Sequence, residues 1–316
     1  MRMTTLQTLH LRAIDADLER AATLLRDGQL VAFPTETVYG LGADARNGTA
    51  VANIYAAKGR PSFNPLIVHV PDVASAKRYV VWNDTAQILA DRFWPGALTL
   101  VLPLRDGHGL SSLVTAGLHT LAIRVPNHKA AQRLLRLSAA PIAAPSANPS
   151  GRISPTTAQH VLDGLAGKIA AVLDDGPCDV GLESTILGIT PDTTLLRHGG
   201  VASEQIEDAL GITLNQSKPT KITAPGQMES HYAPNAHVRL DALNIEPGEV
   251  LLGFGAMDCD LNLSPHGDLI EAASNLFGHL HNLDKIGKPI AIAPIPQVGL
   301  GRAINDRLRR AAAPRG

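Results

Sequence analysis

Two cations lie close together in this sequence, and their side chains suit the binding of phosphate. Lys58 and Arg60 follow a predicted turn rich in hydroxyls and glycines, residues 34–42, which itself follows the apolar run 30–33. A lysine supplies a compact charge and an arginine a planar fork, so the two together can grip a phosphate group. Exposed surface cations are the alternative interpretation of any Lys-x-Arg, and this motif alone leaves both possibilities open.

A second stretch of small polar side chains also follows an apolar run. Ser146 and Asn148 lie in residues 144–151, where two prolines restrict the backbone. Ser154 then stands just ahead of a helical pattern, and a helix N-terminus favours anions. A plain turn is the alternative, because turns are rich in the same residue types.

His69 lies inside an apolar strand pattern, residues 66–70, and shares a strand face with Ile67. A histidine in a strand is often a core or surface residue, although this one could also project into a cleft where the strand ends. Ligands of α/β proteins commonly bind at strand ends, so His69 is a candidate for binding.

The composition limits the classes of function. The chain has 316 residues, of which 45% are hydrophobic and 18% charged, so a large packed core is expected. Lysine plus arginine number 28 and aspartate plus glutamate 29, whereas a protein that coats nucleic acid has a clear basic excess. Cys178 and Cys259 have no metal-ligand spacing. We expect no signal peptide and no membrane span, and therefore a cytoplasmic protein.

Helix and strand patterns alternate along the chain, and this alternation predicts an α/β fold. The predicted strands are residues 30–33, 66–70, 98–104, 121–125, 142–144, 171–173, 185–189 and 194–196. The predicted helices are residues 15–26, 49–57, 85–93, 129–137, 156–165 and 203–210. The close patterns over 171–196 predict an antiparallel meander, so we expect a twisted, mixed, open sheet with flanking helices.

The pattern changes after residue 210, and this change predicts three parts of the chain. Residues 1–210 form a larger domain, and residues 211–236, which have little periodicity and several prolines, form a linker. Residues 237–316 form a smaller α/β domain of about 80 residues, which we expect to dock on the first.

Several short motifs, taken together and in order, resemble one protein family. They are PTETVYGLG (34–42), KGRPSFNPLIVH (58–69), IRVP (123–126), APSANPSG (144–151), ESTI (183–186) and LLRHGG (195–200). The chain resembles the threonylcarbamoyl-AMP synthase family, whose catalytic module is the YrdC-type domain. HYAP (231–234) and GLGRAINDRLRRAA (299–312) are similar to its two-domain form, which has a small C-terminal α/β domain.

The resemblance implies an activity, its substrates and its partners. Members of this family form threonylcarbamoyl-AMP and pyrophosphate from L-threonine, bicarbonate and ATP, for the N6-threonylcarbamoyladenosine modification of tRNA. The resemblance further implies a nucleotidyltransferase that uses Mg2+ with ATP and passes its product to downstream threonylcarbamoyl-transfer proteins. It predicts no metal ligand from the protein itself and no membrane partner.

The resemblance also implies roles for individual residues. The signature polar residues, taken as catalytic, match Lys58, Arg60, Ser146 and Asn148. The ATP-binding positions match Lys58, Asn64, Thr120, Ser146, Ser154, Arg197 and Tyr232. The L-threonine-binding positions match Thr35, His69, Arg124, Ala144 and Ser184. Of these, Arg124 is expected to pair with the carboxylate of threonine, because its planar fork suits two oxygens.

The predicted linker departs from the family pattern. The family usually has basic residues ahead of its His-Tyr-Ala-Pro motif, whereas residues 224–230 read APGQMES, with Glu229 close to His231. We therefore do not count on the linker for positive charge toward phosphate. Tyr232 is still expected to close over the nucleotide.

Other functions fit part of the sequence. A double-stranded RNA-binding or ribosome-associated protein would use Lys58, Arg60 and Arg197 in a basic groove, although the near-zero net charge and the few aromatics speak against it. A carbamoyl-transfer module of hydrogenase maturation normally carries zinc-finger cysteines, which are absent from this sequence. A scaffold protein would not need polar motifs concentrated after strand ends.

The last helical pattern carries four arginines, Arg302, Arg307, Arg309 and Arg310. Charged residues on a terminal helix usually form a solvated face, and this is the arrangement we expect here. A weak contact with tRNA is the alternative.

Overall fold

The computed structural model describes residues 6–216 and 231–314. Its larger sheet contains β1 (Leu9–Arg12), β2 (Val31–Phe33), β3 (Gly40–Asp44), β4 (Ile67–His69), β5 (Leu98–Pro103), β6 (Thr120–Arg124), β7 (Ile142–Ala143), β8 (Ala171–Asp174), β9 (Thr185–Ile189), β10 (Thr193–Arg197) and β11 (Asn215–Gln216). The strands lie in the order β1-β8-β2-β3-β7-β4-β6-β5-β9-β10-β11, with both parallel and antiparallel neighbours. The predicted mixed α/β sheet is therefore confirmed.

Helices flank this sheet, and one of them positions a predicted site residue. They are α1 (Asp15–Arg26), α2 (Gly48–Lys58), α3 (Val73–Ala76), α4 (Asp84–Phe93), α5 (Ser112–Thr115), α6 (Lys129–Ser138), α7 (Ala158–Leu165) and α8 (Ser203–Leu210). Helix α2 begins after Asn47, whose side chain accepts hydrogen bonds from the amides of Thr49 and Ala50. It ends at Gly59, which takes the left-handed conformation with φ +61° and so stops the helix directly after Lys58.

Strand β3 lies where the sequence predicts only a turn. Glycine is a poor strand former, so residues 34–42 do not look like a central strand. The packing nevertheless requires a glycine at position 42, because a Cβ there would lie 2.9 Å from side-chain atoms of both Ile142 and Phe33. The sheet thus closes tightly around β3 just beside the hydroxyl-rich segment.

The predicted antiparallel meander over residues 171–196 is only half right. Strands β9 and β10 are antiparallel neighbours, as predicted. Strand β8, however, pairs in parallel with β1 and β2 in the other half of the sheet. Residues 175–184 are too long a connection for a tight hairpin, and they carry the chain across the sheet instead.

The smaller domain has a parallel sheet of its own. Strands β12 (Val238–Arg239), β13 (Val250–Gly253), β14 (Leu261–Asn262) and β15 (Ile290–Ile292) lie in the order β12-β15-β13-β14. Helices α9 (Leu269–Asp284) and α10 (Gly301–Ala312) accompany it. Its apolar core also contains Val38, Ile153 and Leu182 of the larger domain, so the two domains share one packed cluster.

The domain boundaries at residues 210 and 236 stay a prediction. Strand β11 lies inside the predicted linker and pairs with β10, while residues 217–230 lie outside the described residues. Within residues 6–216 and 231–314, every helix is too short or too polar to span a lipid bilayer.

Candidate active site

A small polar cavity lies on the central strands of the large sheet. Nine of the fourteen predicted site residues line it, namely Thr35, Arg60, His69, Arg124, Ala144, Ser146, Ser184, Arg197 and Tyr232. The free space between these side chains is about 50 Å3, which is room for a few water molecules.

Strand pairing explains how residues so distant in sequence meet here. Strands β4 and β6 are parallel neighbours, and His69 lies opposite Arg124. Gly40 forms an antiparallel bridge with Ser146, so the segment after β2 lies beside the segment after β7. The motifs around residues 34–42 and 144–151 therefore form adjoining walls of one cavity.

Arg124 is buried at the end of β6, and contacts on three sides fix its guanidinium. Its Nε donates to the carbonyl of Gly96 at 3.1 Å, and its Nη1 donates to the hydroxyl of Thr37 at 2.9 Å. Its Nη2 lies 2.6 Å from Oε1 of Glu36, a charge contact that is not aligned as a hydrogen bond. Sequence reasoning missed Glu36, because an acid inside a predicted turn is expected to be exposed.

The segment after β2 is folded by its own hydroxyls. The hydroxyl of Thr35 donates to the carbonyl of Val38 at 2.7 Å, and its oxygen lies 2.8 Å from that of Thr37. Both threonines line the cavity as a result. Thr37 was not among the predicted site residues, although its position in the hydroxyl-rich motif is a signal that could have found it.

His69 faces the same part of the cavity as Arg124. Burial, together with the charge of Arg124, lowers the pKa of His69 to about 3, so its imidazole is neutral at physiological pH. Among the described residues, its Nδ1 has no hydrogen-bond partner. His69 can therefore orient a ligand by a hydrogen bond without adding positive charge.

Lys58 is buried at the C-terminal end of α2, just behind the cavity lining. Its ammonium donates to the backbone carbonyl of Ser146 at 2.5 Å and to that of Asn148. Burial and the nearby charge of Arg60 lower the pKa of Lys58 well below its ordinary value. A bound polyanion would favour the charged form again, so Lys58 is poised to respond to such a ligand.

Arg60 reaches the cavity itself and is held by the segment that follows it. Its Nε donates to the carbonyl of Asn64 at 3.3 Å and its Nη2 to that of Pro65 at 3.0 Å. Burial lowers the pKa of Arg60 to about 10, so it keeps its charge at neutral pH. The amide group of Asn64 is fully buried and has no partner in the described part of the chain.

The loop after β7 contributes polar residues of different kinds. Ser146 lines the cavity. The side-chain amide of Asn148 instead donates to the carbonyls of Pro149, at 2.9 Å, and Arg152, at 2.8 Å, and so shapes the loop. Asn148 and Ser154 lie outside the lining, so their contribution is to hold the wall of the cavity rather than to form it.

Arg197 ends β10 on the opposite wall. Its Nε and Nη2 donate to the carbonyl of Ser184 at 3.2 and 2.9 Å. The hydroxyl of Ser184 lies 2.7 Å from that of Thr99. Burial lowers the pKa of Arg197. The carbonyl of Ser184 fixes the orientation of its guanidinium next to the cavity.

The interpretation of the last helix as a solvated face is wrong for Arg307. It lies on α10 of the small domain, and its side chain is fully buried. Its Nε donates to Oε2 of Glu183 at 2.8 Å, while Oε1 of Glu183 accepts a hydrogen bond from Ser154 at 2.5 Å. Charged residues surround it in the sequence, so the pattern alone does not reveal which arginine points inward.

His231 and Tyr232 fill the side of the cavity that faces the small domain. Both are buried, and both are among the lining residues. Tyr232 has φ +61°, a left-handed conformation that is unusual for a bulky side chain. Among the described residues, its hydroxyl has no hydrogen-bond partner. The free space of about 50 Å3 beside this pair is far smaller than a nucleotide.

Thr120 is one predicted residue that the structure does not bring to the cavity. It begins β6, whereas Arg124 ends that strand. At about 3.3 Å per residue, four residues of strand separate the two by roughly 13 Å. The even spacing puts both on one face of the sheet but at opposite ends of the strand.

The burial of the cations decides between the two interpretations of them. Lys58 is 4% exposed, and Arg60 and Arg197 are each 8% exposed. Phosphates on the outside of a rigid RNA duplex could not reach side chains buried so deeply. The cations therefore favour a small-molecule site over the exposed groove of an RNA-binding protein.

The carboxylates near the cavity already have cationic partners. Glu36 faces Arg124, and Glu183 faces Arg307. In residues 6–216 and 231–314, no group of three or more histidines, cysteines, aspartates or glutamates could hold a metal ion.

The fold and the site first define a class of protein. The E. coli protein YciO has the same fold over 61% of this chain and 96% of its own, with a TM-score of 0.55 at 19% identity. This likeness in fold, together with a family model that matches more than half of the chain, makes the larger domain a YrdC-type domain. The family model described as "Telomere recombination" (Sua5_yciO_yrdC) matches residues 23–199.

The second domain and full-length relatives then define the family. The model described as "Threonylcarbamoyl-AMP synthase, C-terminal domain" matches residues 201–313. The threonylcarbamoyl-AMP synthase of Bacillus subtilis (strain 168) is 41% identical over 95% of this chain and 94% of its own, and that of Pyrococcus abyssi is 40% identical over 98% of each. A crystal structure of P. abyssi Sua5 complexed with L-threonine superposes with a TM-score of 0.88, at 38% identity, over 96% of this chain and 97% of its own. The chain belongs to the threonylcarbamoyl-AMP synthase family, as its motifs predict.

Proposed function

We propose that this protein is an L-threonylcarbamoyladenylate synthase, a nucleotidyltransferase that forms threonylcarbamoyl-AMP and pyrophosphate from L-threonine, bicarbonate and ATP. One observation carries the proposal beyond family membership. Arg60, Arg124 and Arg197 line one small cavity, and Lys58 is buried directly behind its wall. Keeping several cations buried so close together is costly, and anionic substrates are the natural reason to keep them there.

We assign the two ends of the cavity to different substrates. Thr35, His69 and Arg124, with Ala144 and Ser184, form the end for L-threonine. The relative from P. abyssi has been crystallised with L-threonine, which supports an amino-acid subsite in this fold. Arg124 supplies a fixed fork for the carboxylate, although Glu36 already offsets part of its charge.

The other end takes the nucleotide. Lys58, Arg60 and Arg197 offset the charge of the triphosphate, and the unpartnered amide of Asn64 is available for a further hydrogen bond. We assign Ser146 and Tyr232 to the same end, which Ser154 supports through its hydrogen bond to Glu183. ATP enters as its Mg2+ complex, with the ion held by phosphate oxygens, since the nearby carboxylates are engaged with arginines.

The reaction needs a neutral amine and then an anionic nucleophile. The amine of L-threonine loses its proton and adds to the carbon of bicarbonate, and water leaves, which gives an N-carboxylate. An oxygen of this carboxylate attacks the α-phosphorus of ATP, the bond to the β-phosphate oxygen breaks, and pyrophosphate leaves. The protein's task is electrostatic, because an anion must approach a triphosphate that is itself strongly negative.

The product is a mixed anhydride that water would destroy. His231 and Tyr232 are buried over the cavity, and a segment that closes there after the substrates bind would exclude water. Residues 224–230 of this predicted lid lie outside the described residues. We further propose that the protein acts in the cytoplasm, hands its product to threonylcarbamoyl-transfer proteins, and makes at most a weak contact with tRNA.

The test is pyrophosphate release from ATP with L-threonine and bicarbonate supplied together and each withheld in turn. We expect release only when all three are present, with threonylcarbamoyl-AMP detected by mass spectrometry. Carbamoyl phosphate in place of L-threonine and bicarbonate serves as the matched control for a carbamoyl-transfer activity. Release that does not depend on L-threonine would rule the proposal out.

A further inference from the structure

We propose that Arg307 is a positioning residue through which the small domain completes the nucleotide end of the cavity. This inference rests on the proposed function, and it assigns a role in the reaction to a domain that lies apart from the sheet carrying the site. Arg307 acts through Glu183 and Tyr232, which line the cavity, and does not line it itself.

Arg307 connects three segments of the cavity wall. Its Nε donates to Oε2 of Glu183 at 2.8 Å, and its Nη2 donates to the backbone carbonyl of His198 at 2.8 Å. Its guanidinium carbon lies 5.1 Å from the centre of the Tyr232 ring, within the range of a cation–π contact. One side chain of α10 thus holds the residue before Ser184, the loop after Arg197 and the tyrosine over the cavity.

The contact with Glu183 matters for the charge of the cavity. Burial alone would raise the pKa of Glu183, but Arg307 and Arg197 outweigh it, and the pKa lies below its ordinary value. Glu183 is therefore an anion beside a site meant for phosphates. Arg307 offsets this anion from outside the cavity, so Glu183 adds less negative charge to the place where the phosphates would bind.

The contact with Tyr232 holds a strained residue in place. A non-glycine residue at φ +61° is strained, and it persists only where its surroundings impose the conformation. Arg307 on one side and Phe277 of α9, with ring centres 5.6 Å apart, on the other supply those surroundings. Both come from the small domain, so docking of that domain fixes Tyr232 in the wall of the cavity.

A second arginine of α10 provides a matched control. Arg302 also bridges the two domains, with Nη1 3.2 Å from Oε1 of Glu204 and 3.0 Å from the hydroxyl of Ser203. This pair is largely exposed, with side chains 36% and 44% accessible, and neither residue lines the cavity. Exposed ion pairs contribute little to stability. Loss of the Arg302–Glu204 pair therefore tests a contact between the domains that does not reach the cavity.

The experiment compares Arg307→Met, Arg307→Lys and Arg302→Gln in the full-length protein, with separate KM values for ATP and L-threonine. For Arg307→Met we expect the KM for ATP to rise about tenfold or more and the KM for L-threonine to change less than about twofold. Arg307→Lys keeps the charge but loses the planar, forked guanidinium. Its KM for ATP should therefore rise by a smaller factor than that of Arg307→Met. Arg302→Gln should match the wild type.

The outcomes separate this inference from the proposed function. A wild-type protein that releases no pyrophosphate with L-threonine and bicarbonate would overturn the proposed function. The inference would be overturned if the wild type is active and the Arg307 variants keep both of its KM values, with only a smaller fraction of the enzyme folded. If Arg307→Met does not fold, Arg307→Lys provides the test. A KM for ATP in that variant equal to the wild-type value would also overturn the inference.

Discussion

Lys58→Ala is the substitution that tests the electrostatic argument most directly. The ammonium of Lys58 donates to the carbonyls of Ser146 and Asn148 and lies behind Arg60 at the cavity wall. Electrostatic stabilisation by a well-placed donor is often worth a few kcal/mol in the transition state. We expect kcat/KM for ATP to fall more than about tenfold, which corresponds to about 1.4 kcal/mol or more.

Lys58→Ala changes the free energy of unfolding through two effects of opposite sign, which partly cancel. Two buried carbonyls lose their donor, and each such loss costs about 1–3 kcal/mol. Removing an ammonium whose pKa burial has already lowered relieves part of this cost, and water can enter the space left by the side chain. We therefore expect the free energy of unfolding to change by less than about 2 kcal/mol, so the variant stays folded.

The assay is pyrophosphate release at saturating L-threonine and bicarbonate over a range of ATP concentrations, with denaturant unfolding measured on the same samples. Lys168→Ala, which removes an exposed lysine from the same domain, is the control and should behave as the wild type. A folded Lys58→Ala protein with unchanged kcat/KM would refute the reasoning, because the buried ammonium would then contribute nothing to the reaction.

Two further predictions follow from Arg124 and His69. Arg124→Lys keeps the charge but loses the guanidinium fork that Gly96 and Thr37 hold. The KM for L-threonine should therefore rise at least about tenfold, while the KM for ATP changes little. Similar changes in both KM values would contradict the assignment of the L-threonine subsite. His69 has a folded pKa of about 3, below its ordinary value near 6.5, so its contribution to stability is present above pH 6.5 and is lost as the pH falls toward 3. Between pH 6.5 and pH 4 the wild type should therefore lose roughly 3 kcal/mol more unfolding free energy than His69→Gln, and equal losses in denaturant titrations would show that His69 is not buried as described.

Much of the fold could be predicted because buried strands and amphipathic helices leave strong local patterns. The apolar run that forms β5 is buried along nearly its whole length, and the helix over residues 203–210 has the bounds expected from its periodicity. Strand β3 could not be predicted, since its Gly42 is required by close packing against Phe33 and Ile142 and not by strand propensity. The place of β8 depends on pairing with β1, about 160 residues away, and no local pattern encodes such a pairing.

The candidate site shows the same division. Lys58, Arg60 and Ser146 stand in motifs whose residue types suggest phosphate binding even without any resemblance. Glu36 and Arg307 do not, because a charge appears as an exposed surface residue until the structure shows what buries it. Partners of this kind become visible only once the tertiary contacts are known.

The position of β8 between β1 and β2 has a consequence for biosynthesis. A nascent chain that has not yet reached Asp174 would hold β1 and β2 without the strand that lies between them, and each would present an open edge of unpaired amides and carbonyls. Open edges of this kind recruit other strands and promote aggregation. Synthesis on the ribosome therefore passes through a stage at which about half of the polypeptide is complete but one end of its large sheet is still open, and chaperones would protect that end at this stage.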